Sequence, residues 1–343
     1  YMNDIQFEFD LDSLFPISEE NENNLIELMK LNINLNFNKI YTKKKINNNK
    51  NINNNIIYTF WDYAIDEGGI KSDTFWEMIA DNNVDFFETW NMKANYKEYS
   101  DGYIIWYKAL DYRIFNNFNR NSNGIKTEKF WEKISKKDDK LFRFWNKKVP
   151  EHWGDTTWHS ATSNIKSKIF WENIIQKKSN DFFDPWNIQD DIGYTVWAKI
   201  SGIDSEFFWE ELSKKDDIIF KYWNLSFSIN STDNNAWYYA FRNVKFDIFW
   251  ENISKKDYNF FKSWNELNYL NECNWGKAFL YLKSKKFWNI IARKNNLFYK
   301  SWSLKNNYEL YKFIYNEYQY NECDYVSIWY LALKLFDQNN SKE

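Results

Sequence analysis

The chain has 343 residues, 45 basic and 48 acidic, for a formal net charge of -3. That balance excludes a global electrostatic pull toward nucleic acid or anionic lipid. Aromatic residues make up 22% of the sequence, including 20 Trp, and so much large apolar surface must be buried, which excludes disorder for most of the chain.

No apolar run approaches the ~20 residues of a membrane span, so no membrane segment is expected. The acidic start, YMNDIQFEFDLD, lacks the basic and apolar regions of a secretory signal. Cys273 and Cys323 form neither a CxxC pair nor a disulfide framework, and free thiols in a reducing cytosol are expected. The expected location is therefore cytoplasmic, with a secreted one left open for a chain that is a fragment. Abundant Asn, Lys, Ile, Tyr and Phe, with little Ala and Gln, point to an AT-rich genome.

Residues 1–44 differ from the rest. Ile5, Phe7, Phe9 and Leu11 alternate with polar residues, the period of a strand. Pro16 and Ser18 open an acidic helical stretch, and Leu31, Ile33, Leu35 and Phe37 alternate again. These patterns predict a small strand–helix–strand element. The Asn/Lys-rich stretch over residues 45–55 reads as a linker or loop.

Residues 56–305 repeat. Phe-Trp pairs stand at Phe75-Trp76, Phe130-Trp131, Phe170-Trp171, Phe208-Trp209, Phe249-Trp250 and Phe287-Trp288. The steps between their Trp residues are 55, 40, 38, 41 and 38. A second Trp follows in each unit (Trp90, Trp145, Trp186, Trp223, Trp264, Trp302), with an apolar residue three before it. A third motif, W-x-x-A, begins at Trp61, Trp106, Trp158, Trp237, Trp275 and Trp329, and Trp197 fills the same slot with Ile200 in place of Ala.

Each unit therefore predicts three short helices. Helix A carries Phe-Trp behind a cap at Ser72, Thr127, Ser167, Ser205 or Ser284, with Phe246 as the exception. Helix B carries F-x-x-W behind Asn83, Asp138, Ser179, Asp216, Asp257 or Asn295. Asn91, Asn146, Asn187, Asn224 and Asn265 follow its Trp and are expected to end it in the left-handed conformation. Helix C carries W-x-x-A, whose small residue permits close packing. The third unit holds one extra residue between Trp171 and Phe183, which a turn between A and B absorbs and a continuous helix would not. The expected fold is all-α: an α-solenoid of about six three-helix Trp/Phe-rich repeats. Three helices in about forty residues resembles armadillo and HEAT units in period and helix count, and the resemblance implies units stacked on a shared core.

Chemistry-bearing motifs are few. There is no G-x-G-x-x-G, no Walker lysine loop and no H-E-x-x-H around His152 and His159. Neither a catalytic set, a metal site nor a cofactor is expected. Glu77, Glu132, Glu172, Glu210 and Glu251 follow the Phe-Trp pairs, where negative charge suits the start of a helix. Basic doublets stand at the A–B junction: Lys136-Lys137, Lys177-Lys178, Lys214-Lys215, Lys255-Lys256 and Arg293-Lys294. Stacked repeats would align them as a ridge for a phosphate backbone or an acidic partner. The favoured reading is compensation of helix-A ends, beside Asp138, Asp216 and Asp257.

Residues 306–343 leave the pattern as a tyrosine-rich cap ending in a last repeat helix. Its Tyr308, Tyr311, Tyr315 and Tyr318 are candidate interface residues. The insertions around 93–103 and 112–126 are further candidates. The expected function is a non-enzymatic scaffold binding another protein. The alternatives are nucleic-acid or acidic-ligand binding along the basic ridge, and an immunity protein neutralising a toxin.

Overall fold

The computed structural model describes residues 18–31, 35–37, 40–45, 54–65, 69–91, 105–110, 124–148, 155–224, 235–266 and 273–294. The chain divides after Lys177 into two compact units, Tyr1–Lys177 and Lys178–Glu343. Among the described residues beyond Thr59 the regular elements are helical, as expected.

In the first unit, helix α1 (Glu19–Lys30) starts at the Ser18 cap, whose hydroxyl accepts from Asn21 N, and buries Leu25 and Ile26. A two-stranded antiparallel sheet follows, β1 (Ile40–Lys45) against β2 (Asn54–Thr59), with Ile40 opposite Thr59 and Lys45 opposite Asn54. The strands differ from those expected. Ile5–Leu11 lies outside the described residues, and Leu35–Phe37 forms no strand. The ends of the presumed linker are instead drawn into pairing by flanking Ile-Tyr-Thr and Ile-Ile-Tyr-Thr runs, whose branched and aromatic residues suit a pleated surface. α1 tethers the start of the array: Glu22 Oε1 accepts from the backbone N–H groups of Lys71 and Ser72. Phe37 is buried against Phe60, Trp61 and Phe75.

The A helices are Asp73–Asp81, Glu128–Ser135 and Lys168–Ile175 in the first unit. In the second they are Glu206–Lys214, Asp247–Lys255 and Lys285–Ile291. Ser72, Ser167, Ser205 and Ser284 accept from the amide three residues on, at 3.2 to 3.3 Å. Thr127 departs from this, donating its hydroxyl to Asp73 instead. Phe246 caps nothing with its side chain. Within each unit consecutive A helices pack together, and so do the C helices of Trp106 and Trp158, of Trp197 and Trp237, and of Trp237 and Trp275.

Helix B is shorter and tighter than expected. It is 3₁₀ over Asp85–Asn91 and Asp139–Asn146, and α running into 3₁₀ over Asp217–Asn224 and Tyr258–Asn265. The F-x-x-W spacing explains this, because residues three apart eclipse in a 3₁₀ helix and enter the core together. Phe87 and Trp90, Phe142 and Trp145, and Phe261 and Trp264 are all at most 2% exposed. All five described B caps accept a backbone amide, from Asn83 through Asp257; Asn295 lies outside the described residues. In the third repeat A ends at Ile175 and B begins at Asn180, so the extra residue does sit in a turn.

The asparagines after the B tryptophans do not end their helices as expected. They are the last helical residue, and the next residue is extended, as at Lys147, Ile188 and Glu266. Three of the side chains accept the C-helix indole: Trp106 Nε1 to Asn91 at 3.1 Å, Trp158 to Asn146 at 3.0 Å and Trp197 to Asn187 at 2.8 Å. A side-chain acceptor for a buried N–H has decided the residue type here, not backbone handedness.

The three Trp classes differ in how their indoles are satisfied. All six A-helix indoles donate to the carbonyl six residues earlier: Trp76 to Ile70, Trp131 to Ile125, Trp171 to Ile165, Trp209 to Ile203, Trp250 to Val244 and Trp288 to Leu282. The same apolar residue donates its own amide to the carbonyl of the W-x-x-A alanine, as Ile165 to Ala161 at 2.9 Å. Ile125 keeps this bond with Ala109 although the two stand 16 positions apart, so the insertion leaves the corner intact. The B-helix indoles of Trp90, Trp145, Trp223 and Trp264 have no acceptor among the described residues. They lie against rings: each packs on the following C-helix Trp at 4.6 to 5.0 Å and stacks on the next A-helix Phe at 6.1 to 6.4 Å.

This difference predicts an inversion of the usual burial rule. Trp131→Phe leaves a buried carbonyl without its donor, whereas Trp145→Phe removes a donor that has no acceptor. Urea unfolding should show Trp131→Phe as the costlier by about 1–3 kcal/mol, although Trp145 is 0% exposed and Trp131 4%. Equal or reversed costs would contradict the assignment.

Candidate binding surfaces

The basic doublets split into two roles. Counted from the A-helix Trp, the sixth residue is Lys137, Lys177, Lys215, Lys256 and Lys294, and each is half-buried. Four of them reach back to a carbonyl of the preceding repeat: Lys137 to Asn82, Lys177 to Lys137 at 2.6 Å, Lys256 to Lys215 at 3.1 Å and Lys294 to Lys256 at 3.1 Å. Lys177 and Lys256 also pair with Asp139 and Asp217. Lys215 lies 5.4 Å over the Phe183 ring. These lysines tie one helix-A end to the next.

The outward members, Lys136, Lys214, Lys255 and Arg293, are exposed, and so is Lys178, which follows the inward Lys177. Lys214 binds Glu210 and Glu211, and these hydrogen bonds raise its pKa; Lys255 binds Glu251 and holds that carboxyl below the usual range. Lys177, Lys214, Lys255 and Lys256 thus pair with acids inside their units. The glutamates take part in the same bonding: Ser167 donates to Glu132 at 3.1 Å, and Lys286 pairs with Glu251 at 3.5 Å. Asparagine–serine bonds add to it, Asn173 to Ser135 and Asn252 to Ser213, both at 2.9 Å.

Other sequence candidates lie elsewhere. His159 is buried in a capping box, its Nδ1 accepting from Thr156 N at 3.1 Å. His152, Cys323, Tyr308, Tyr311, Tyr315, Tyr318 and the insertion over 93–103 lie outside the described residues, as does most of 112–126. Cys273 is buried and in no disulfide. No described helix is long and apolar enough to cross a membrane.

A surface absent from the sequence candidates lies on the C helices of the second unit, Val196–Lys199, Ala236–Asn243 and Asn274–Tyr281. It holds half-buried tyrosines around the exposed Arg242, with Lys199 half-buried and Lys277 buried. Tyr194 stands at its start, positioned by a turn in which the buried Asp190 accepts from Ile192 N at 3.0 Å and Tyr194 N at 2.7 Å. Gly193 has φ 93°, a left-handed value that a side chain would resist. Lys199 neutralises Asp190 at 2.9 Å.

Tyr239 donates to the Tyr194 hydroxyl at 3.2 Å, with ring centroids 5.7 Å apart. Tyr238 meets Tyr239 edge-on at 5.2 Å and Tyr281 edge-on at 5.4 Å. Arg242, one turn after Tyr238, lies 5.3 Å over its ring and 5.5 Å over Tyr281, and donates to the Tyr238 hydroxyl at 2.6 Å. Lys277, one turn before Tyr281, lies 5.6 Å over Tyr238.

The available sequence signal was the pair of variable positions inside W-x-x-A. They read Tyr107-Lys108, His159-Ser160, Ala198-Lys199, Tyr238-Tyr239 and Gly276-Lys277. Tyr107, His159, Ser160, Ala198, Gly276 and Lys277 are buried, while Lys108, Lys199, Tyr238 and Tyr239 are half-buried.

Burial pushes the Lys137, Lys215 and Lys294 ammonium groups below the ordinary 10.5, against weaker attraction from Asp81, Glu211 and Asp257 respectively. The unfolded chain therefore binds more protons between the lowered values and 10.5, and stability should rise with pH across that window. The neutral amine still donates to its carbonyl. Urea midpoints from neutral pH upward should show this rise, and replacing all three residues with Met should flatten it. An identical pH dependence in the variant would contradict the burial of these groups.

No family model, no curated protein and no solved structure matches this chain.

Proposed function

We propose that this chain is an α-solenoid scaffold, without catalysis of its own, that binds another protein. Repeat-to-repeat packing and hydrogen bonding within each unit support the solenoid reading. The tyrosine–cation surface of the second unit carries the binding reading. Tyr and Arg combine contact area with hydrogen-bond donors and concentrate at protein interfaces. Here Tyr238 and Tyr239 are half-buried on helix C and Arg242 is exposed.

A nucleic-acid track along the doublets is the weaker reading, because their inward lysines are engaged with backbone carbonyls. The affinity-tagged chain, incubated with native lysate with and without nuclease, should recover a protein in fixed stoichiometry whose capture survives nuclease. Recovery that nuclease abolishes, or no recovered macromolecule, would overturn the proposal.

A further inference from the structure

We infer that Tyr194 and Tyr239 form an oxidative modification site, where hydrogen peroxide and a haem peroxidase couple the two rings into a dityrosine. The inference goes beyond the scaffold reading and does not depend on it. Tyr239 donates to the Tyr194 hydroxyl at 3.2 Å, while the ring centroids stand 5.7 Å apart with the planes at 68°. The phenol ends therefore converge. The ring carbons beside each hydroxyl, where a tyrosyl radical carries much of its spin, lie at that junction. Both rings are half-buried, so solvent and oxidant reach them.

The pair is held from both sides within the second unit. Asp190 Oδ1 accepts from Ile192 N at 3.0 Å and from Tyr194 N at 2.7 Å, and Lys199 pairs with the same carboxylate at 2.9 Å. Tyr239 sits on the helix Ala236–Asn243, directly before the buried Ala240.

The neighbouring tyrosine pairs are worse placed. Tyr238 meets Tyr239 edge-on at 5.2 Å, but consecutive helix residues point about 100° apart, so their hydroxyls diverge. Tyr238 meets Tyr281 edge-on at 5.4 Å, but Arg242 lies over both rings and donates to the Tyr238 hydroxyl at 2.6 Å. A cation at a phenol opposes removal of an electron from it.

In the coupling, each ring gives up one electron and its phenolic proton. The two radicals join through a carbon–carbon bond between the positions ortho to the hydroxyls. The hydrogens on those carbons move to the oxygens and restore both phenols. The two electrons and two protons reduce one hydrogen peroxide to two waters at the peroxidase haem. The new bond ties the third repeat to the fourth across 45 positions and constrains the unfolded chain as a disulfide does.

Treatment of the dilute full chain with a haem peroxidase and limiting hydrogen peroxide tests this. Tryptic digestion of the monomer band and mass spectrometry should find two peptides joined through Tyr194 and Tyr239, lighter than their sum by two hydrogens. The linked monomer should unfold at a higher urea midpoint than the untreated chain. Tyr239→Phe should lose the link, and Tyr238→Phe should keep it at the parent yield. Each substitution retains the ring, so both variants should keep the parent helix content by circular dichroism. Free tyrosine oxidised in parallel shows that the peroxidase is active. Failure to find the Tyr194–Tyr239 link while free tyrosine couples, a link only between chains, or equal loss in the two variants would overturn the inference. So would an undiminished link to Tyr194 in Tyr239→Phe, or a linked monomer that unfolds no later than the untreated chain.

Discussion

The indole N–H of each A-helix tryptophan bonds a backbone carbonyl six residues back, and the rest of the fold is arranged around that contact. The acceptor is the residue that leaves helix C, so one side chain fixes the corner between two helices. The Trp ring is buried at the same place, about 150–250 Å² of surface, and an unmade bond there would cost most of what one good contact contributes. Phe could fill the volume without serving the carbonyl. This is why Trp recurs at this position. The serine cap three residues before the Phe then starts helix A from the fixed corner.

With the corner set, neighbouring repeats in each unit meet in a constant way. The B-helix Trp stacks on the next A-helix Phe, and an inward lysine or an asparagine–serine bond joins one A helix to the one before. Apolar and polar contacts thus share one period. Between the Trp and Ala of helix C the residues vary from repeat to repeat, and both are half-buried only at Tyr238-Tyr239 among the described repeats. In the second unit Tyr238 and Tyr239, with Arg242 and Tyr281, make the tyrosine–cation surface.

Much of this was legible in the residues. Cap types at fixed offsets gave the helix starts, and one extra residue in the third repeat separated A from B. The 3₁₀ character of helix B was not legible, because F-x-x-W suits three residues per turn nearly as well as 3.6. The β1–β2 hairpin was hidden by its charge and Asn content, which read as linker. The lysine doublets looked uniform because charge alone does not say which member turns inward. The third repeat did hold that clue: Gln176 replaces the outward residue while Lys177 keeps the inward one. The tyrosine–cation surface was not legible, because Tyr238, Tyr239 and Arg242 follow no repeat period.

Hydrogen exchange of the tryptophan indole protons, followed by NMR under native conditions, tests the central interaction most directly. The six A-helix indoles should exchange only through opening of the repeat, many-fold slower than in the unfolded chain, and their protons should carry the downfield shift of an N–H bonded to a carbonyl. The B-helix indoles of Trp90, Trp145, Trp223 and Trp264 should be protected by burial without that shift. A-helix indoles that exchange at the unfolded rate, or that cannot be told from the B-helix set, would contradict the account.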